Sequence, residues 1–336
     1  MTSSSTLPAS SENFDHGMLA WFPNSSQGII SSRKAFSESD LRGISESLRR
    51  TGKEAWSRVP RIYSVLRVIN QLQVIDVFIS QGISDVWFPF THQTLPAALR
   101  SPSARFEFLD AQKLVLSKAL DLEREAGRHR HFLESSDIPF IKIAELGKGN
   151  FGYVDRVAST ISHREYARKL IPRGRTFKKD QEVLKNFEKE LANLKKLSHA
   201  HIIELIGSYT DPRFVGIIMS PVADCNLKEF LDIRDMSIAR KSFLRTFFGC
   251  LTAALSYLHE NCIRHKDIKP ANVLVKDHHV YLTDFGISLD WNELGQSTTS
   301  GPTIKTPRYC APEVADYCPR NSASGVYTVF YPFPCR

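Results

Sequence analysis

Apolar residues are spaced differently in different parts of this chain. Residues 1–57 are dense in Ser and Thr with weak apolar periodicity, which predicts a poorly ordered segment. From residue 61 to 83, apolar side chains recur at three- and four-residue steps, the spacing of an amphipathic helix. A second helix is predicted over residues 103–125, after an aromatic and proline-containing break at 85–90. Residues 58–137 are therefore predicted to form a helical extension.

The role of this extension is left open by its residues. The simplest interpretation is that its helices pack together or against the domain that follows, and the alternative is a docking or oligomerisation module. The run Arg128-His129-Arg130-His131 ends the extension and is predicted to be a solvated basic turn. A metal site is the weaker interpretation, because no Cys or further His is clustered near these histidines.

Near residue 138 the pattern changes to short strand-like runs. Strands are predicted at 140–146, 153–158, 165–171, 202–209 and 215–219, with one helix over 180–197. After residue 227 the pattern is mostly helical, with helices at 227–232 and 238–261 and a strand at 280–282. This order predicts an α+β fold with a strand-rich small lobe and a helical large lobe.

Composition narrows the class of protein. No run of about 18 apolar residues exists, so no membrane segment is predicted, and the Ser/Thr-rich start does not resemble a secretory signal. The six cysteines show no C-x-x-C pairing, which favours free thiols and a cytoplasmic or nuclear protein. Residues 1–137 carry 16 Lys and Arg against 15 Asp and Glu, while residues 138–336 carry 28 against 21. Without a nucleic-acid motif, this basic second half indicates a phosphate-handling domain, and no nucleic-acid partner is expected.

Chemistry is concentrated in short motifs of the second half. Gly147, Gly149 and Gly152 lie in a predicted strand-turn-strand, where missing Cβ atoms let backbone N–H groups approach phosphates. A Rossmann loop has the same glycine spacing but is followed by a helix, whereas a strand follows here. Further along the chain come Lys169, the run His265-Lys266-Asp267 with Asn272, then Asp284-Phe285-Gly286 and Ala311-Pro312-Glu313.

These motifs, in this order, resemble eukaryotic protein kinases of the Ser/Thr type over residues 138–320. The segment before them resembles stretches that precede kinase domains in filamentous-fungal proteins. The resemblance implies a bilobal kinase-like fold that uses ATP and Mg²⁺ to phosphorylate Ser and Thr hydroxyls of protein substrates. Lys269, two residues after Asp267, is the feature typical of Ser/Thr-specific members.

The resemblance also implies roles for individual residues. Asp267 is the expected catalytic base and Lys269 the cation that neutralises the γ-phosphate, while Asn272 and Asp284 are expected to hold Mg²⁺. Lys169 is expected to contact the α- and β-phosphates, with its ammonium held in position by an ion pair with Glu190. Glu188 is the rival partner for Lys169. Arg168 is predicted to be solvated. The remaining expected ATP-binding residues are Leu146, Gly147, Lys148, Gly149, Asn150, Phe151, Gly152, Tyr153, Val154, Ala167, Met219, Ser220, Val222 and Leu274.

Other positions take structural or regulatory interpretations. His265 and Phe285 are predicted to stack with Leu194 into an apolar column between the lobes. The expected activation segment contains four candidate phosphosites: Thr298, Thr299, Ser300 and Thr303. Thr306, in the same segment, is expected to contact Asp267 on the substrate side.

Two features depart from the family pattern. Lys266 stands where an arginine is usual. Because a lysine binds a phosphate as a point charge and not through two parallel bonds, control of activity by activation-loop phosphorylation is predicted to be weaker. Gly325-Val326-Tyr327 stands where the family has Asp-x-Trp, and residues 321–336 read as an atypical tail. The kinase domain is therefore expected to be truncated, with an incomplete C-terminal lobe. The competing hypothesis is a kinase-like binding protein made inactive by that loss.

Overall fold

The computed structural model describes residues 18–22, 33–116, 122–123, 128–149, 152–232, 238–286 and 288–290, together with residues 311, 316, 319, 321 and 324. Helices α1 (Glu38–Arg50) and α2 (Glu54–Ser57) precede the extension, which contains helices α3 (Pro60–Val68), α4 (Ile75–Ser80) and α5 (Pro102–Ala111). Short 3-10 turns lie at Leu72–Val74, Asp85–Trp87 and Gln112–Leu114. No helix among these described residues is long and apolar enough to cross a membrane.

Helix α1 begins inside the segment that was expected to be poorly ordered. Ser37 caps it by accepting from the Asp40 N–H, and the Asp40 side chain accepts from the Ser37 N–H in return. Its buried face consists of Leu41, Ile44 and Leu48. The expectation of poor order is therefore wrong for α1. A reciprocal cap and a short apolar stripe are enough to form a stable helix once the stripe is buried against other residues.

The predicted helix over 61–83 is divided into α3, a 3-10 turn and α4. Asn70, just after the α3 C-cap, has a φ of 53°, a left-handed conformation that asparagine tolerates and that ends a helix. The predicted helix over 103–125 ends as an α-helix at Ala111 and continues as the 3-10 turn Gln112–Leu114. Both helices were predicted too long because periodicity does not show where a chain leaves helical geometry.

A six-stranded sheet forms the small lobe. Its strands are β1 (Arg128–His131), β2 (Phe140–Gly149), β3 (Gly152–Ser159), β4 (Glu165–Pro172), β5 (Glu204–Thr210) and β6 (Phe214–Ser220), in the order β1-β5-β6-β4-β3-β2. Helix α6 (Phe177–Lys196) connects β4 to β5. The predicted strands and helix of this lobe are confirmed, with ends that differ by a few residues.

Strand β1 comes from the extension and pairs in parallel with β5. The prediction of a solvated basic turn at 128–131 is wrong, since His131 is only 3% exposed. The His131 Nδ1 atom lies 2.9 Å from the Phe88 carbonyl and 2.7 Å from the Thr210 hydroxyl. The rings of His129 and His131 find hydrogen-bond partners on β5 and at the Phe88 carbonyl, so the polar composition of the run did not reveal its burial.

The large lobe contains α7 (Leu227–Leu231), α8 (Ile238–Glu260), the 3-10 turn Pro270–Asn272 and small sheets. The strands of these sheets are β7 (Cys225–Asn226), β8 (Ile263–Arg264), β9 (Val273–Lys276), β10 (His279–Leu282) and β11 (Leu289–Asp290). Helices α7 and α8 and strand β10 were predicted and are confirmed.

One buried apolar cluster connects the extension with both lobes. It includes Ile62 and Phe108 of the extension, Leu184 and Leu191 of α6, and Phe285 beyond β10. Because α6 contributes to this cluster along much of its length, the helix is packed between the extension and the catalytic motifs. The extension therefore shares a core with the domain that follows it.

We expect the free energy of unfolding to fall as the pH drops from 7 to 5. Burial lowers the pKa of His129 to about 3 and lowers the pKa of both His131 and His265. The unfolded chain takes up these protons below about pH 6.5, whereas the folded chain resists them, so His129 costs about 1.4 kcal/mol per pH unit and His131 and His265 add a loss of the same sign. Asp85, whose pKa burial raises to about 6, acts in the opposite sense below that pH.

Urea unfolding at several pH values measures this slope. The variant His129→Gln should flatten the slope, while His92→Gln, at an exposed position, should leave it unchanged. Stability that does not fall between pH 7 and 5 would contradict the expectation.

Candidate active site

The glycine motif lies in the hairpin of β2 and β3, where Gly147 pairs with Val154 and Gly149 with Gly152. A Cβ on Gly147 would meet nothing within 4 Å, whereas a Cβ on Gly152 would lie 2.0 Å from the Leu170 carbonyl oxygen. Gly152 is therefore required by the close approach of β4, a reason the sequence did not show. Within the hairpin, the side chains of Leu146, Lys148 and Tyr153 are exposed. Asn150 and Phe151 lie outside the described residues.

Lys169 on β4 reaches two carboxylates. Its Nζ atom donates to Glu190 Oε1 at 2.7 Å and to Asp284 Oδ1 at 3.1 Å. Burial opposes the charged ammonium, but Glu190 and Asp284 outweigh it and raise the pKa of Lys169. Burial likewise opposes ionisation of Asp284, but Lys169 outweighs it and lowers the pKa of that carboxyl. The ammonium and the Asp284 carboxylate are both charged at neutral pH.

The rival partner of Lys169 points elsewhere. Glu188 accepts a hydrogen bond from the Ser84 hydroxyl of the extension. Glu188 and Glu190 are two residues apart, about 200° around the helix axis, so they lie on different faces of α6.

Arg168 lies on the opposite face of β4 from Lys169, as strand alternation predicts, but it is not solvated. Its guanidinium donates to both carboxylate oxygens of Asp155, at 3.0 and 2.8 Å. The Arg168 side chain is 11% exposed and that of Asp155 is 3% exposed. The prediction was wrong because Asp155 stands directly across from Arg168 on β3, a register that only strand pairing reveals.

Residues of the 265–272 loop converge on one carboxylate. Lys269 Nζ donates to Asp267 Oδ2 at 2.6 Å. The Asn272 amide nitrogen donates to Asp267 Oδ2 at 3.0 Å and to the Asp267 backbone carbonyl at 2.8 Å. The Asp267 side chain is held by two neighbours in a single orientation, with 14% of its surface exposed.

His265 connects this loop to the segment that carries Asp284. Its Nδ1 atom accepts from the Asp267 N–H at 3.3 Å, and its Nε2 atom lies 2.8 Å from the Thr283 carbonyl. The ring must therefore be neutral with the proton on Nε2, which agrees with the pKa that burial lowers. The ring of Phe285 lies 4.8 Å from that of His265, edge to face, and Leu194 belongs to the same buried cluster as Phe285.

Asn272 and Asp284 present oxygen ligands on adjacent segments. The Thr283 N–H donates to the Asn272 carbonyl at 3.0 Å, which places the residue before Asp284 against the 265–272 loop. A carboxylate with an amide oxygen suits Mg²⁺, which prefers a few protein oxygens completed by phosphate and water. No group of three or more His, Cys, Asp or Glu side chains in the described ranges is placed to hold a metal alone. These two oxygen donors therefore fit Mg²⁺ once further oxygen ligands complete its coordination.

The residues expected around adenine are distributed over both lobes. Ala167 pairs with Met219 across β4 and β6, and both are buried. Ser220, the last residue of β6, and Val222, in the connection to the large lobe, are half-buried, as is Leu274 on β9. These positions are compatible with an adenine site at the junction of the lobes.

Sequence reasoning missed a buried ion pair at the start of α6. Arg173, just after β4, donates to both carboxylate oxygens of Asp180 in the first turn of α6, at 3.2 and 2.6 Å. The side chains are 2% and 0% exposed. A lone Arg and Asp near a strand end and a helix start are common on protein surfaces, so the sequence carries no signal that distinguishes this pair.

Several predicted features lie outside the described residues. They are the candidate phosphosites Thr298, Thr299, Ser300 and Thr303, the expected substrate-side Thr306, Pro312 and Glu313 of the Ala-Pro-Glu motif, and the tail from residue 325 onward. Ala311 of that motif is described and is buried.

Comparisons with known proteins agree with the geometry. The sequence model described as "Protein kinase domain" matches residues 140–329, more than half of the chain. A probable serine/threonine-protein kinase of Dictyostelium discoideum is 28% identical over 260 residues, which cover 74% of this chain and 34% of that protein. The serine/threonine-protein kinase nekl-2 of Caenorhabditis elegans is 30% identical over 202 residues, covering 56% of this chain and 54% of that protein.

A third relative is the probable LRR receptor-like serine/threonine-protein kinase RPK1 of Arabidopsis thaliana. It is 31% identical over 189 residues, which cover 54% of this chain and 33% of that protein. The chain thus spans about a third to a half of the length of these curated relatives. They come from a slime mould, a nematode and a plant, so the resemblance to filamentous-fungal proteins stays a prediction.

Proposed function

We propose that this chain, which belongs to the protein kinase family, transfers the γ-phosphoryl group of ATP to Ser and Thr hydroxyls of protein substrates. The observation that carries the proposal is the double contact of Lys169 with Glu190 and Asp284, 2.7 and 3.1 Å away. That contact joins β4, α6 and the segment after β10 around one point. The names of the relatives, all serine/threonine-protein kinases, support the same substrate class.

Asp267 is proposed as the group that accepts the proton of the substrate hydroxyl. Its carboxylate is oriented by Asn272 and Lys269, so little reorganisation is needed when a hydroxyl arrives. The Lys269 ammonium, 2.6 Å from that carboxylate, is proposed to neutralise charge that develops on the transferred phosphoryl group.

Lys169 is proposed to hold the α- and β-phosphates of ATP, with Glu190 keeping the ammonium in position. Asn272 and Asp284 would hold Mg²⁺, which when bound supplies positive charge to the phosphate oxygens. Gly147, with open space where a Cβ would be, lets the β2–β3 hairpin approach the phosphates.

A transfer assay tests the proposal. Wild type, given radiolabelled ATP, Mg²⁺ and a generic basic protein, should produce phosphoserine and phosphothreonine. Asp284→Asn should lower the rate by about 10²-fold or more, because a metal ligand and a Lys169 partner are both weakened. Asp277→Asn is the matched control, since Asp277 is exposed and its φ of 53° suits asparagine.

Equal rates in wild type and Asp284→Asn would exclude catalysis by this site. If wild type transfers no phosphate but ATP raises its Tm, the chain is instead a nucleotide-binding kinase-like protein. Labelling of tyrosine alone would overturn the proposed substrate class.

A further inference from the structure

One stretch of the extension lies along the outer face of α6, and we name residues 81–89 the brace. The Trp87 ring packs against the Phe177 ring at the start of the helix, with centroids 5.9 Å apart. One turn later, the Gln181 side chain donates to the Gln81 carbonyl at 2.6 Å. Nearly two turns further, Glu188 accepts from the Ser84 hydroxyl. The brace thus contacts α6 over about three turns.

The α6 residues in these contacts share one face. Phe177, Gln181 and Glu188 are spaced by four and seven residues, the intervals that return to the same side of a helix. Burial raises the pKa of Glu188, and the Ser84 hydrogen bond offsets this in part. The Glu188 side chain is half-buried where α6 meets the brace.

Arg173 also links the brace to the N-terminal end of α6. Besides its two bonds to Asp180, Arg173 donates to the carbonyls of Trp87 at 3.0 Å, Pro89 at 2.6 Å and Asp211 at 3.3 Å. All five N–H groups of the guanidinium therefore have acceptors. Two of those acceptors belong to the brace, so the buried charge of Arg173 is fully satisfied only when the brace is in place.

Glu190, the partner of Lys169, lies on a different face of the same helix. A rotation of α6 by one residue, about 100°, would carry Glu190 away from the Lys169 ammonium. The brace opposes that rotation at two points. The Ser84 hydroxyl binds Glu188 on the outer face of α6, and Arg173 links the brace to Asp180 in the first turn of the helix. The ion pair in the active site and the contacts of the extension are thus set by one rigid element.

We propose that the brace is an intramolecular positioning device that holds α6 so that Glu190 engages Lys169, with Ser84 and Arg173 as positioning residues for phosphoryl transfer. This inference rests on the proposed phosphoryl-transfer activity. The extension would then affect the rate of phosphoryl transfer directly, in addition to contributing residues to the buried core.

The first test uses the full chain and removes single contacts. Ser84→Ala should lower kcat by about 3- to 10-fold, because the bond to a carboxylate is lost. Ser84→Thr, which keeps a hydroxyl, should restore most of the rate. Glu188→Ala removes the same bond from the α6 side and should give a similar loss, although it leaves the Ser84 contact with the Val86 N–H intact.

The matched control is Ser80→Ala. Ser80 donates to the Val77 carbonyl within α4, so its loss breaks a hydrogen bond in the extension without touching α6. The rate of this variant should stay within about twofold of wild type. A loss as large as that of Ser84→Ala would mean that general weakening of the extension, and not the brace, reduces the rate.

A double-mutant cycle separates positioning from mere stability. In a Glu190→Gln background, adding Ser84→Ala should change the residual rate by less than about twofold, because the interaction that the brace supports is already removed. The same 3- to 10-fold loss in both backgrounds would overturn the proposal.

Hydrogen exchange keeps the brace testable if the proposed function fails. If wild type transfers no phosphate, the phosphoryl-transfer proposal is lost, but Ser84→Ala and Glu188→Ala should still accelerate amide exchange across α6 relative to Ser80→Ala. Unchanged α6 exchange in both variants would overturn the brace itself.

Discussion

Replacing Asp267 with asparagine is expected to lower kcat for phosphoryl transfer by about 10²- to 10⁴-fold, the usual contribution of a positioned general base. Asparagine keeps the shape of the side chain, and its amide oxygen can still accept from Asn272 and Lys269. The variant should therefore fold like wild type but lack a group that takes up the proton of the substrate hydroxyl.

Steady-state kinetics measure this effect together with the KM for ATP. The KM should stay within a few fold, because no proposed contact to the nucleotide is removed. Asp277→Asn again serves as the matched control, because it makes the same chemical change on the surface of the large lobe. A loss of less than about tenfold in Asp267→Asn would show that Asp267 is not the base.

Replacing Asp180 with alanine is expected to lower the free energy of unfolding by about 3–5 kcal/mol. Arg173 would then keep its charge in a site where its side chain is 2% exposed, with carbonyl groups as its partners. The cost reflects an uncompensated buried charge more than the strength of the original pair. Urea unfolding of the full chain measures the loss directly.

The control for this prediction is an ion pair at the surface. Arg156 and Glu165 are paired across β3 and β4, with side chains 43% and 41% exposed. Glu165→Gln should therefore cost no more than about 1 kcal/mol. If Asp180→Ala costs as little as Glu165→Gln, the Arg173 site must be far more hydrated than its burial indicates.

Much of the kinase-like region was predictable because its signals are local. Strands β2 to β6 carry short apolar runs between turn residues, and α6 and α8 carry apolar stripes with helical spacing. The candidate site was predictable for a related reason: Lys169, Glu190, Asp267, Asn272 and Asp284 stand in an order and spacing that few other folds share. In the structure Lys169 contacts both Glu190 and Asp284, and Asn272 contacts Asp267.

Apart from the helix boundaries and the order of α1, the failures concern partners that are distant in sequence. Arg168 was assigned to solvent because nothing near it in the chain identifies Asp155 as its neighbour on β3. The basic run at 128–131 was assigned to a turn, although it adds a strand beside β5, about eighty residues later. Ser84 and Glu188 are 104 residues apart, so no local pattern joins them.

The sequence by itself determined the type of each main element in the kinase-like region and the chemical groups of the candidate site, since period, turn residues and motif order act over a few residues. Only the tertiary structure decided that the extension shares its core with the catalytic region, supplies an edge strand to its sheet and lies along α6. Those outcomes depend on which surfaces meet, and burial of a charge or a backbone group becomes favourable only when its distant partner arrives.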